Sequence, residues 1–299
     1  MGGSLALLFG RLGRCTEDHC RALLAAGAGA GLATAFNAPL AGAVFVLEEL
    51  VGRFSVPIAI AALGASAGAI GTARYIVGQA PDFQVVPIAY SGLGTLPVHL
   101  TLGVVIGFIG VAYSRAILGA LRATNRLGRN RPVVIAAAIG ASVGMLAWFA
   151  PHLGPGDAIT QQMLSGTQTV FGIGLALVLV FGLRFVLGAI SYAAGTPGGL
   201  FAPMLVLGSQ SGLLFGTLCY HWFPAAGVNP TACAVVGMAA LFTAVVRAPL
   251  TGISLAIELT GSFTLLLPML AACCAAMAIA TLLKEPPIYE SLRWDRGRR

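Results

Sequence analysis

The chain has 299 residues, 58% of them hydrophobic and only 9% charged, with a mean hydropathy of +0.90 and a formal net charge of +7. Soluble domains carry roughly 25% charged residues, so this composition excludes a soluble globular protein and points to a chain that lives in a lipid bilayer. The positive charge is not a nucleic-acid signature, because the basic residues gather beside apolar segments, and no nucleic-acid partner is expected.

Residues 5–9 form an apolar run too short for a signal peptide, and no small-residue cleavage pattern follows it. Cys15, His19 and Cys20 lie close together, but nothing nearby completes a ligand set, so no metal site is expected. Apolar segments then follow at 21–36, 38–50, 56–77, 96–121, 132–150, 170–190, 201–222, 232–245, 248–258 and 263–283. Several approach the roughly 20 residues that a spanning helix needs. The runs are continuous and do not alternate, so the expectation is an all-α polytopic membrane protein and not a barrel. Forty glycines suit the close helix packing of membrane bundles.

Arg115, Arg122, Arg126, Arg129 and Arg131 surround one loop, and Lys284, Arg293, Arg296, Arg298 and Arg299 crowd the C-terminus. Both regions are expected on the cytoplasmic side by the positive-inside rule. The loops at 78–97 and 151–168 carry no Lys or Arg and are expected on the opposite side.

Two of the short segments match each other. AFNAPLAGAVFVLEEL (35–50) and VVRAPLTGISLAIELT (245–260) share Ala-Pro-Leu-x-Gly and a later glutamate. Ala38, Pro39, Gly42 and Glu48 fall on Ala248, Pro249, Gly252 and Glu258, all at an offset of 210. Paired short segments in corresponding positions are the mark of an inverted-repeat transporter.

Between 170–190 and 201–222 lies Gly195-Thr-Pro-Gly-Gly-Leu-Phe-Ala-Pro203, with three glycines and two prolines. Irregular backbone at membrane depth belongs where it lines a cavity or is buried in protein. The helix expected to open near Phe201 brings amide donors and the positive end of its dipole to that break, which suits an anion. An ordinary loop between two spans is the alternative.

These segments resemble the CLC family of chloride channels and proton/chloride antiporters. GTPGGLFAP is similar to the family's GxFxP element, 35–50 and 245–260 to two further family segments, and KEPPIYESL (284–292) to its final helix. The resemblance implies an antiparallel inverted-repeat fold, with 1–77 as the remainder of a first repeat, 96–283 as a second, and 284–299 as a terminal pore helix with a short basic tail. It implies a homodimer with one pore per subunit in the inner membrane of a bacterium, and no cofactor beyond chloride as the transported ion. Chloride would be held by the backbone amides of Leu200 and Phe201 and by the Tyr289 hydroxyl, with Gly199 permitting close approach. Glu49 falls where antiporters carry a proton-transferring glutamate that channels of the family usually lack.

The same resemblance places the family's GSGIP and GREGP motifs upstream of Met1, so an N-terminally truncated arrangement is expected. The expected function is chloride transport coupled to protons, with a passive chloride channel or a non-transporting fragment as alternatives. An enzyme is not expected, since no HExxH, Ser/His or paired-Asp motif sits in the spans.

Other polar residues in apolar sequence each need a reason. Glu48 is expected to be structural, for instance as an ion pair with the nearby Arg53. Glu258 is expected to pair with Arg247 or to cap a neighbouring segment. Arg184 is expected to anchor the structure.

Overall fold

In a computed structural model of the chain, the described residues are 1–78, 92–127, 132–149, 174–195, 199–224 and 227–297. Their regular structure is entirely helical. The α-helices are α1 (Gly2–Leu12), α2 (Glu17–Phe36), α3 (Pro39–Phe45), α4 (Val56–Val77), α5 (Leu96–Leu127) and α6 (Pro132–Phe149), then α7 (Gly174–Ala193), α8 (Phe201–Trp222), α9 (Pro230–Val246), α10 (Pro249–Thr260), α11 (Leu266–Leu282) and α12 (Ile288–Gly297). Among them, Val56–Ile76, Leu93–Arg126, Phe201–Trp222 and Phe263–Leu282 are long and apolar enough to cross a bilayer. The expectations for residues 79–91 and 151–168, for Thr196, Pro197 and Gly198, and for Arg129, Arg131, Arg298 and Arg299 fall outside the described residues.

Local chemistry sets the helix ends. The Thr16 hydroxyl accepts the His19 amide at the start of α2, where Glu17 and Asp18 oppose the helix dipole. The Asn229 side chain accepts the amides of Thr231 and Ala232 at the start of α9. α2 ends on Asn37 (φ 50°, ψ 34°), and α9 ends on Arg247 (φ 71°, ψ 26°). Each is followed by an alanine of matching conformation, Ala38 (φ −128°, ψ 80°) and Ala248 (φ −117°, ψ 79°), and then by a proline opening the next helix. A residue before proline is driven out of the helical region, and proline in the first turn forfeits no helical bond. Asn-Ala-Pro and Arg-Ala-Pro therefore make the same elbow, 210 residues apart.

The described residues form two compact units. In the first (Met1–Val85 with Ala248–Leu266), α2 packs on α1, α3 and α4, and α3 also packs on α10. In the second (Val86–Arg247 with Leu267–Arg299), α9 is the centre. Every residue of α9 from Ala232 to Val246 is buried, as a helix apolar on all faces must be. It packs on α5, α8 and α12. Its approach to α8 is close enough that a methyl group at Gly208 or Gly237 would strike the other's carbonyl oxygen. Glycine is required at that crossing because the two backbones touch.

Candidate functional site

α8 begins at the motif singled out for an anion. Leu200 is its N-cap residue, with φ −84° and ψ −16°, and among the described residues no side chain caps the helix. The first helical bond runs from the Met204 amide to the Leu200 carbonyl at 3.2 Å. First-turn amides have no acceptor inside their own helix, and Pro203 in that turn carries no amide hydrogen to satisfy. Leu200 and Phe201 are both buried. The Phe201 ring lies against Phe242 of α9, with centroids 4.9 Å apart, so aromatic packing on the central helix holds this helix start in place.

Gly199 is exposed, and its backbone is not in the left-handed region. A Cβ there would meet no described atom within 4 Å. Gly199 therefore makes no use of the left-handed conformation open to glycine.

Tyr289 is the second residue of α12 and is half-buried, next to a fully buried Ile288. α12 packs on α9 and α5. The anchoring of Phe201 and the seating of Tyr289's helix thus share one buried element, α9, within one unit. Arg184 lies half-buried within α7.

Glu49 belongs to the other unit and is half-buried. It sits in a π-turned stretch, Val46–Leu50, that continues α3. Such wide turns are rare and recur at functional positions. Its neighbour Glu48 accepts the amides of Leu250 (3.0 Å) and Thr251 (2.7 Å) and the Thr251 hydroxyl (2.7 Å) at the start of α10. Both Glu48 oxygens are thus engaged by a helix start, which replaces the expected pairing with Arg53. Glu258 accepts the amides of Leu40 (2.9 Å) and Ala41 (2.7 Å) at the start of α3. Of its two expected roles, capping is the one found.

Arg247 turns instead to the Met277 carbonyl (3.3 Å), the Thr281 hydroxyl and the Glu285 carbonyl (2.7 Å). The Glu285 side chain forms an ion pair with Arg115 at 2.8 Å. This second network carries no signal in the sequence, since Arg115 and Glu285 lie 170 residues apart. The exchange of caps between Glu48 and Glu258 does carry one: their shared offset of 210.

The family described as voltage gated chloride channel matches residues 1–281. The chain is 38% identical to the H(+)/Cl(-) exchange transporter ClcA of Vibrio cholerae over 98% of its own length and 63% of that protein. It is 36% identical to the H(+)/Cl(-) exchange transporter ClcA of Yersinia pestis over 98% of its own length and 62% of that protein. The chain thus spans a little under two thirds of these curated relatives. Among solved structures, a slow cyanobacterial Cl-/H+ antiporter superposes with a TM-score of 0.89 at 34% identity, covering 98% of this chain and 68% of that one. A CLC-type fluoride/proton antiporter shares the fold, with a TM-score of 0.71 at 22% identity over 93% of this chain and 67% of that one.

Proposed function

The chain belongs to the voltage gated chloride channel family, and on that premise we propose that it carries chloride across a membrane in exchange for protons. The observation that carries this reading is the start of α8. A buried helix N-terminus with no side-chain cap among the described residues, anchored by Phe201 on Phe242, is a fixed electropositive surface. Chloride needs such donors because it leaves its hydration shell on entering protein. In this reading the amides of Leu200 and Phe201 and the hydroxyl of Tyr289 hold the anion, and Gly199 leaves it room. Fixed backbone donors bind without the permanent charge that would trap the ion, so passage stays fast.

Glu49 takes the proton. A carboxyl group on a wide helical turn, half-buried in a membrane chain, can release and accept a proton without moving the backbone. Similarity to two H(+)/Cl(-) exchange transporters over 98% of this chain supports coupling over a passive pore. We assign the protein to the inner membrane of a bacterium, as a homodimer with a cytoplasmic C-terminus and an inverted-repeat plan, and with no enzymatic activity. The basic residues of 115–131 and 284–299 support that orientation. The matching elbows at Ala38 and Ala248 support that plan.

The test is direct. Protein in chloride-loaded liposomes is diluted into chloride-free buffer, and external chloride and pH are followed together. Exchange predicts proton uptake driven by chloride efflux. Efflux with no pH change would make the protein a passive pore, and neither signal would remove the transport reading.

A further inference from the structure

We propose that Glu285, gripped by Arg115 and Arg247, is a positioning residue that sets the place of Tyr289 and so tunes chloride affinity; this rests on the reading of Tyr289 as an anion ligand.

The segment between α11 and α12 is short and held at every step. The Leu283 amide donates to Ile279 (3.0 Å), Lys284 to Thr281 (2.9 Å) and Glu285 to Ala280 (3.2 Å). Lys284 takes a left-handed conformation, φ 53°, to close the helix. Glu285 then becomes the point where two arginines converge. Its side chain is only 12% exposed and meets the Arg115 guanidinium at 2.8 Å. Its backbone carbonyl accepts from Arg247 at 2.7 Å. Arg247 in turn holds the Met277 carbonyl and the Thr281 hydroxyl of α11.

A single residue is thus fixed by its side chain and its backbone, from two separate elements. Those elements, α5 and the end of α9, are the same two on which α12 packs. Pro286 and Pro287 follow, and each has a locked φ, so the placement of Glu285 passes stiffly along the chain. Ile288 is fully buried, and Tyr289 comes next. The lever from carboxylate to phenol is four residues long, with two of them rigid.

A largely buried carboxylate in a membrane chain needs a partner. Simple tethering of α12 would also supply a reason for the pair. The two roles separate in what they move: a tether changes stability, and a positioning residue changes binding through Tyr289.

The experiment is chloride titration calorimetry on the purified protein with Glu285→Gln, Arg115→Gln, Tyr289→Phe and the double variant Glu285→Gln/Tyr289→Phe. Glu285→Gln keeps the carbonyl that Arg247 holds and removes only the charge. Arg115→Gln weakens the same pair from its exposed end and leaves the buried residue in place. Each is expected to weaken chloride binding about fivefold, the upper range for a partly exposed ion pair; thermal unfolding should hold in Glu285→Gln and fall in Arg115→Gln, which leaves the carboxylate without its partner. In the Tyr289→Phe background the Glu285→Gln effect should vanish, because its route is gone. The charge-swapped pair Arg115→Glu/Glu285→Arg should restore binding. Parent-like binding in Glu285→Gln beside a weakened Tyr289→Phe overturns the positioning role alone. An undiminished Glu285→Gln effect in the Tyr289→Phe background does the same. A silent Tyr289→Phe overturns the reading of Tyr289 as a ligand, and this inference with it.

Discussion

Glu48 and Glu258 hold each other's helices. Glu48, in the turn that ends α3, takes the Leu250 and Thr251 amides that begin α10. Glu258, near the end of α10, takes the Leu40 and Ala41 amides that begin α3. The two helices are clasped antiparallel from both ends. Every member of one clasp maps on the other by the same offset of 210: Leu40 on Leu250, Ala41 on Thr251, Glu48 on Glu258. A carboxylate at a helix start satisfies two donors and opposes the positive end of the dipole. That gives each acid a reason to sit in apolar sequence.

Removing either acid should therefore loosen the clasp. Glu48→Ala and Glu258→Ala are each expected to destabilise the protein by about 2 kcal/mol, since charge-assisted bonds to two amides are lost. Both residues are partly exposed, so water makes good some of the loss. Gln at either position keeps an acceptor and should lose roughly half as much. Thermal unfolding in detergent measures this. An unchanged midpoint in Glu258→Ala would mean that water replaces the carboxylate without penalty.

The crossing of α8 and α9 should tolerate no side chain. Gly237→Val would push a branched group into the Gly208 carbonyl, and overpacking of this kind costs about 1–3 kcal/mol or more. Gly119→Ala is the control, because a Cβ there meets no described atom within 4 Å. Unfolding and yield should fall for Gly237→Val and hold for Gly119→Ala. Equal stability of the two would show that the helices slide apart cheaply.

Much of this fold is legible in the sequence because membrane helices obey simple length and composition rules. The runs at 56–77 and 201–222 became α4 and α8 with the same bounds, and the short 38–50 and 248–258 runs became α3 with its turn and α10. Proline and the αL-tolerant Asn37 mark the elbow before α3. The π-turned stretch under Glu48 and Glu49 is not legible, since no residue type specifies an i→i+5 backbone bond, such as Val51 to Val46, in place of an i→i+4 one. That Glu48 turns to a helix start is also hidden. Adjacent residues point about 100° apart on a helix, and a wide turn changes that angle. Glu285 was invisible for another reason: both of its arginines come from elsewhere in the chain.

At the start of α8 the donors are backbone, so side-chain changes should act only through placement. Phe201→Leu keeps the amide and loses ring contact with Phe242; chloride affinity should fall no more than about threefold. Gly199→Ala should leave stability unchanged, given the open space around it. Any loss of binding in that variant then reports crowding of the ion itself. Calorimetry with chloride, beside thermal unfolding, separates the two effects. Parent-like affinity in Gly199→Ala would remove Gly199 from the site.

Glu49→Gln gives the sharpest test of coupling. The amide preserves size and much of the hydrogen bonding, yet it cannot take up or release a proton between pH 4 and 9, so only titration is lost. Glu48 makes an instructive companion, because its oxygens are committed to Leu250 and Thr251. In liposomes, Glu49→Gln should let chloride efflux continue while the accompanying proton uptake disappears. Glu48→Gln should weaken the fold and scale both fluxes together, leaving their ratio unchanged. If the ratio of protons to chloride survives in Glu49→Gln and collapses in Glu48→Gln, the proton passes through the clasp itself, and the roles given to these two neighbours must be exchanged.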